Sequence, residues 1–156
     1  MQPEFDARVR LTVNGEVIAA EVPVRLSLAD FLRGQIGLTG THVGCEHGVC
    51  GACTILVDGN LTRCCLMLAV QADGASIETI EGADASGRLA RLQKAFHSRN
   101  ALQCGFCTPA MLLTAAELLR VNAKPTRDEV RDWLSGNFCR CTGYQSIVDA
   151  VMEAAS

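Results

Sequence analysis

A chain of 156 residues with 49% hydrophobic and 20% charged residues can bury one ordinary core or two small ones, and its composition is not that of a disordered protein. Its formal charge of -3 and aromatic content of 4% exclude the basic, stacking-rich footprint of a nucleic-acid binder. No apolar run approaches the roughly 18 to 20 residues of a membrane span, and the start, Met1 to Asp6, has no basic segment leading into an apolar one, so a cytoplasmic location is expected. In the first half, Val9, Leu11 and Val13 alternate with Arg8, Arg10 and Thr12, and Asn14-Gly15 then offers the positive dihedrals of a two-residue turn. A hairpin with Val17 to Val24 is predicted. Ser27-x-x-Asp30 resembles a capping box and precedes Leu28, Phe31 and Leu32, which predicts a short helix ending at Gly34. Asp58-Gly59 is the turn of a second expected hairpin, Thr54 to Val57 with Leu61 to Cys65, and Ser76 to Ile80 supplies a last strand.

From Gly82 to Gly87 the residues are small and polar and read as a linker, after which the pattern becomes helical. Leu89, Leu92 and Phe96 fit one helix face. Thr108-Pro109 reads as a cap and first-turn proline opening a helix from Met111 to Leu119. Thr126-x-x-Glu129 is a capping box before Val130, Trp133 and Leu134, with Gly136 as the stop, and Ile147, Val148 and Val151 mark a final helix. A sheet-rich half is thus followed by a helical bundle.

Nine cysteines, at 45, 50, 53, 64, 65, 104, 107, 139 and 141, are many for a chain expected in a reducing compartment, and point to metal or redox chemistry rather than disulfides. They divide into two groups of four and one spare. Cys45, Cys50 and Cys53 form a C-x4-C-x2-C run with Cys65 further on, the plant-type 2Fe-2S spacing. Three thiolates from one short loop can wrap half of a small cluster while a distant fourth closes it. Such a cluster is doubly negative when oxidised and gains a further negative charge on reduction, so backbone N–H groups must face the sulfurs, and Gly44, Gly48 and Gly51 permit that approach. A four-cysteine zinc site is the competing reading, although zinc modules more often pair two C-x2-C knuckles. His42 and His47 do not form the cysteine-histidine pairs of a Rieske centre, and His47 reads as a loop hydrogen-bonding group.

The second group is Cys104, Cys107, Cys139 and Cys141, in Gln103-Cys104-Gly105-Phe106-Cys107-Thr108-Pro109 and Cys139-Arg140-Cys141-Thr142-Gly143-Tyr144. Each motif stands just before an expected helix, where free N–H groups and the positive dipole end favour an anionic group. Residues i and i+2 do not share a helix face, so Cys139 and Cys141 can hold one group only from a loop or a helix start. Taken alone, this set allows iron, zinc or a redox pair.

Together, Gly44-Cys45-Glu46-His47-Gly48-Val49-Cys50-Gly51-Ala52-Cys53-Thr54 and the two later motifs closely resemble the small iron-sulfur subunit of the molybdenum hydroxylases, the xanthine oxidase family, over about Val9 to Ala155. The resemblance implies an α+β fold: an N-terminal beta-grasp plant-type ferredoxin domain at 1–82 and a C-terminal four-helix 2Fe-2S-binding domain at 83–156. It implies two 2Fe-2S clusters, an outer one on Cys45, Cys50, Cys53 and Cys65 and an inner one on Cys104, Cys107, Cys139 and Cys141. Electrons would pass from a molybdenum-pterin dinucleotide in a large subunit to FAD in a medium subunit, in a heterotrimer or a dimer of heterotrimers. Gln103 and the Cys141 region would contact the pterin; a local hydrogen bond bracing the cysteine loop is the other role open to Gln103. Cys65 fits the family interval from Cys53, which leaves Cys64 as a buried spare thiol. Ala110 stands where the family commonly has glycine, and only a packing change is expected there. A free-standing two-cluster ferredoxin is the alternative function, and a zinc-stabilised interaction module a third.

Overall fold

Asn14 and Gly15 both take positive φ, 52° and 87°, and so join strand β1 (Asp6–Val13) to β2 (Glu16–Pro23) through the two-residue turn their side chains allow. The structure is a computed structural model that describes residues 5–155; Ser156 and Met1 to Glu4, most of the segment read for an export signal, lie outside it. Asp58 (φ 49°) and Gly59 (φ 77°) turn β3 (Thr54–Val57) into β4 (Asn60–Arg63) in the same way. With β5 (Ser76–Glu78) these make a five-stranded mixed sheet of order β2-β1-β5-β3-β4, in which β5 runs parallel to β1 and antiparallel to β3.

One face of the sheet grips a short helix. Ser27 caps α1 (Leu28–Asp30) by accepting from Asp30 N at 3.0 Å, and the helix widens into a π-helical turn over Phe31–Gln35. Leu28, Ala29, Phe31 and Leu32 are buried against the inward residues Val9, Leu11, Val13, Val22, Ile55 and Ile77. Burying apolar side chains of this size stabilises the fold by about 1.5 to 3 kcal/mol each. This is the beta-grasp arrangement expected from the motifs.

Two local expectations differ around the sheet half. Cys64 and Cys65 lie not on β4 but in a 3-10 turn (Cys64–Leu66), because the strand ends at Arg63. Much of the expected linker is helical, as α2 (Ile80–Ala85). Long-range bonds hold α2 in place. The Asn14 side chain accepts from Thr79 N and donates to Thr79 Oγ1, both at 2.9 Å, and Glu81 accepts from Gly40 N at 2.8 Å and Thr79 Oγ1 at 2.6 Å.

The remaining helices are α3 (Ala90–Ser98), α4 (Thr108–Val121), α5 (Arg127–Leu134) and α6 (Gln145–Ala155). Thr108 is the first residue of α4 rather than its cap; Cys107 takes the cap position and Pro109 stays in the first turn, where its missing N–H costs nothing. Thr126 and Glu129 form the reciprocal capping box of α5. A second core of Leu89, Leu92, Phe96, Met111, Leu113, Val130, Ile147 and Val151 unites the four helices, and Ala110 in the first turn of α4 is buried too. At the junction of the halves, Arg88 pairs with Glu78 at 2.9 Å and with the buried Glu117 at 2.7 Å, so that carboxylate does not stand uncompensated.

Candidate metal centres

The first cysteine loop doubles back on itself because Glu46, Gly48 and Gly51 adopt positive φ. The consequence is a ring of inward amides: Cys50 N donates to Cys45 Sγ at 3.4 Å, with the His47 and Val49 amides also directed at that sulfur. These bonds, led by that from Cys50, hold the Cys45 thiol down at about 6 against the effect of burial. Gly51 is obligatory on a second ground. A Cβ there would stand 2.3 Å from the carbonyl oxygen of Gly136 in the other half.

Cys53 closes the loop from the buried start of β3. Its thiol is lowered to about 5, chiefly by a hydrogen bond from Cys64, with burial opposing and the Cys65 groups and the Arg63 charge assisting. Cys64 and Cys65 have different surroundings. The Cys64 thiol is wholly buried and donates to the Cys53 carbonyl at 3.0 Å; bonding to Cys53 and burial push its pKa far up. The half-buried Cys65 is raised to about 11 by burial and then by Cys53, but its sulfur also receives the Gly48 amide and feels Cys45 across the loop. Cys65 therefore faces the Gly48 amide and the Cys45 side of the loop, whereas the Cys64 thiol is buried behind it and tied to the carbonyl and sulfur of Cys53.

At the second centre, Cys104 and Cys107 precede α4 and Cys139 and Cys141 lie in the loop before α6. The sulfurs of Cys104 and Cys141 are 3.5 Å apart, and Cys107 bonds Cys139. Burial, then Cys139, pushes the Cys107 thiol up to about 12. Burial also opposes ionisation of Cys139, yet the Thr142 hydroxyl, 3.2 Å away, and the amides of Thr142 and Cys141 outweigh it and leave this thiol lowered. Tyr144, itself at φ 69°, accepts from Cys139 N at 3.0 Å through its hydroxyl. Gln103 donates to the Cys141 carbonyl at 3.1 Å, so the bracing role considered for it is present, and both Gln103 and Cys104 are exposed.

Among the described residues, no three His, Cys, Asp or Glu side chains gather as ligands of a single ion. The thiols of the second centre fall into close pairs instead, and the amides around the first converge on sulfur. Thiolates fed by N–H donors suit an anionic, sulfide-bridged pair of irons, which takes four cysteines. His47 remains exposed and bonds the Cys45 carbonyl; His42 bonds the Phe106 carbonyl at 2.7 Å and stacks on the Phe106 ring at 4.7 Å. Neither acts as a ligand in this arrangement.

Sequence reasoning missed the seam between the centres. Phe138 N donates to the Cys50 carbonyl at 2.8 Å, and the buried Asn137 donates to Gly51 O at 3.1 Å and Thr54 Oγ1 at 3.3 Å while accepting from Thr114 Oγ1 at 3.3 Å. An asparagine just before Phe138-Cys139 was the available signal, but Gly51 and Thr54, its partners in the first half, lie more than 80 positions away.

A beta-grasp unit carrying one cysteine quartet and a four-helix unit carrying another define a two-cluster 2Fe-2S protein. Comparison with known proteins agrees: residues 11–80 match the 2Fe-2S iron-sulfur cluster binding domain and residues 79–152 the [2Fe-2S] binding domain. The chain is 55% identical to the caffeine dehydrogenase subunit gamma of Pseudomonas sp. (strain CBB1), covering 94% of this chain and 90% of that one. It is 53% identical to the nicotine 6-hydroxylase small subunit of Paenarthrobacter nicotinovorans, over 97% and 92% of the two. The crystal structure of quinoline 2-oxidoreductase from Pseudomonas putida 86 superposes with a TM-score of 0.89 at 51% identity, over 96% of this chain and 94% of that one. The chain belongs to the small iron-sulfur subunits of the molybdenum hydroxylase (xanthine oxidase) family, and serves as an electron-transfer subunit of a multi-subunit oxidoreductase. No helix among the described residues is long and apolar enough to cross a membrane.

Proposed function

We propose that Cys45, Cys50, Cys53 and Cys65 hold the outer 2Fe-2S cluster and Cys104, Cys107, Cys139 and Cys141 the inner one, in domains spanning 1–82 and 83–156. The observation that carries the ligand choice is the contrast between Cys65, whose sulfur receives the Gly48 amide, and Cys64, whose thiol is tied to the Cys53 carbonyl. When bound, each cluster supplies one-electron redox chemistry between a molybdenum-pterin dinucleotide in a large subunit and FAD in a medium subunit. The residues of this chain do the rest. The amides of His47, Val49 and Cys50 balance negative charge at Cys45, Thr142 does so at Cys139, and Tyr144 orients the Cys139 backbone.

Exposure of Gln103 and Cys104 supports placing the inner centre against the pterin, with Gln103 holding the Cys141 carbonyl while its edge meets the cofactor. The assembly is read as a heterotrimer or a dimer of heterotrimers in the cytoplasm. The relatives named above are called after caffeine, nicotine and quinoline, which supports a nitrogen heterocycle as the large subunit's substrate.

The test is iron and acid-labile sulfide analysis of the native complex with EPR of its variants. Two iron-sulfur signals are expected; Cys65→Ser should lose or perturb the outer one and Cys64→Ser should leave both. A colourless zinc protein, or the reverse pattern for the two serines, sinks the reading.

A further inference from the structure

Arg63 ends β4, paired in register with Thr54, and so stands at the end of the ladder beside ligand Cys53, two residues before ligand Cys65. It is half-buried, and among the described residues no carboxylate pairs with it. Its guanidinium faces both centres instead. Nη1 donates to Thr54 Oγ1, next to Cys53, while Nη2 donates to Gly136 O at 2.7 Å and reaches Asn137 Oδ1 at 3.5 Å. Gly136 admits it: a Cβ there would lie 2.7 Å from Nη2.

Gly136 and Asn137 lead directly into Phe138-Cys139, whose backbone is bonded to Cys50. A single planar fork thus spans the start of β3 in one half and the inner cysteine loop in the other. An ammonium on a flexible stem cannot reproduce two divergent donors of fixed geometry. Leaving a cation half-buried without a counter-charge is unfavourable unless negative charge is supplied from elsewhere. The four thiolates and the bound cluster beside it supply that charge, and supply more of it on reduction.

We propose that Arg63 is a positioning residue that fixes the spacing of the two clusters through its fork and favours the reduced outer cluster through its charge. The inference rests on the two-cluster reading above and adds to it the residue that couples the centres. Charge and fork separate experimentally. Arg63→Met removes both, and Arg63→Lys keeps the charge but loses the second arm.

The measurement is an EPR-monitored redox titration of the complex, with the spin–spin splitting between the two reduced clusters and the hydrogen-exchange protection of the Phe138 amide read alongside. In Arg63→Met the outer cluster's reduction equilibrium should move about tenfold toward the oxidised form, about 59 mV for one electron, while the inner cluster moves less. Arg63→Lys should restore the potential, yet show a changed splitting and faster exchange at Phe138. If Arg63→Met does not retain its clusters, the lysine variant still decides, because unchanged splitting and unchanged Phe138 protection there overturn the proposal. Retained clusters with an unchanged outer potential in Arg63→Met overturn it equally. A wild-type complex with fewer than two cluster signals would instead refute the two-cluster reading, so the two failures are distinguishable.

Discussion

The two cysteine quartets solve one chemical problem by different means. In the sheet half, three ligands come from nine consecutive residues, and the backbone itself is bent so that amides face sulfur. In the helical half, two short motifs 32 residues apart are brought together by the packing of α4, α5 and α6, and side chains such as Thr142 and Tyr144 supply much of the polar support. One centre is built by local geometry and the other by tertiary structure, so each should fail in its own way.

The largest expected effect tests the packed centre. Phe96 is buried in the helical core, and Phe96→Ala should cost about 3 to 5 kcal/mol. Denaturant unfolding together with EPR should show the inner signal lost at lower denaturant while the outer one persists. Simultaneous loss of both would mean that the halves unfold as one unit and would erase the distinction. Gly51→Ala tests the other side. Positive φ and the approach to Gly136 O should together cost about 2 kcal/mol or more. The outer signal should then broaden first, with loosening of the seam seen as faster exchange at Phe138.

The smallest effect sharpens the comparison at a helix start far from both centres. Thr126→Ala removes the α5 cap and should cost about 1 kcal/mol without altering either signal. Glu129, the other half of that cap, is held below its ordinary pKa by the Thr126 amide and then its hydroxyl. Its contribution is therefore present above the ordinary carboxylate range and fades as pH falls through the lowered value. The wild type should lose this increment in acid and the Thr126→Ala variant a smaller one, because its backbone amide still donates to Glu129 while the hydroxyl is gone; thermal melts across that range would read the difference.

What was legible in the residues was what local rules govern. Asn14-Gly15 and Asp58-Gly59 announced both hairpins, Thr126-x-x-Glu129 announced α5, and cysteine spacing announced the two centres. Helix α2 was missed because its support is distant: nothing near Gly82-Ala83-Asp84 favours a helix until Asn14 and Glu81 tie the segment to the first hairpin and the Gly40 loop. Cys64 was expected on a strand because the alternating pattern continues to Cys65. The chain leaves the ladder at Arg63, so the separation of the two thiols comes from a tight turn rather than from the pleat. The Arg63 and Asn137 seam was invisible for the same reason as α2, since every bond in it joins residues from opposite halves except that from Arg63 to Thr54 and that from Asn137 to Thr114.

The strand order has a consequence for biosynthesis. β5 fills the middle of the sheet although it is the last of the five strands to be made. Until Ser76–Glu78 leaves the ribosome, the two hairpins have open inner edges and the first cysteine loop hangs between unjoined ribbons. Joining the two hairpins on either side of that loop therefore waits on one three-residue segment, the last strand to be made.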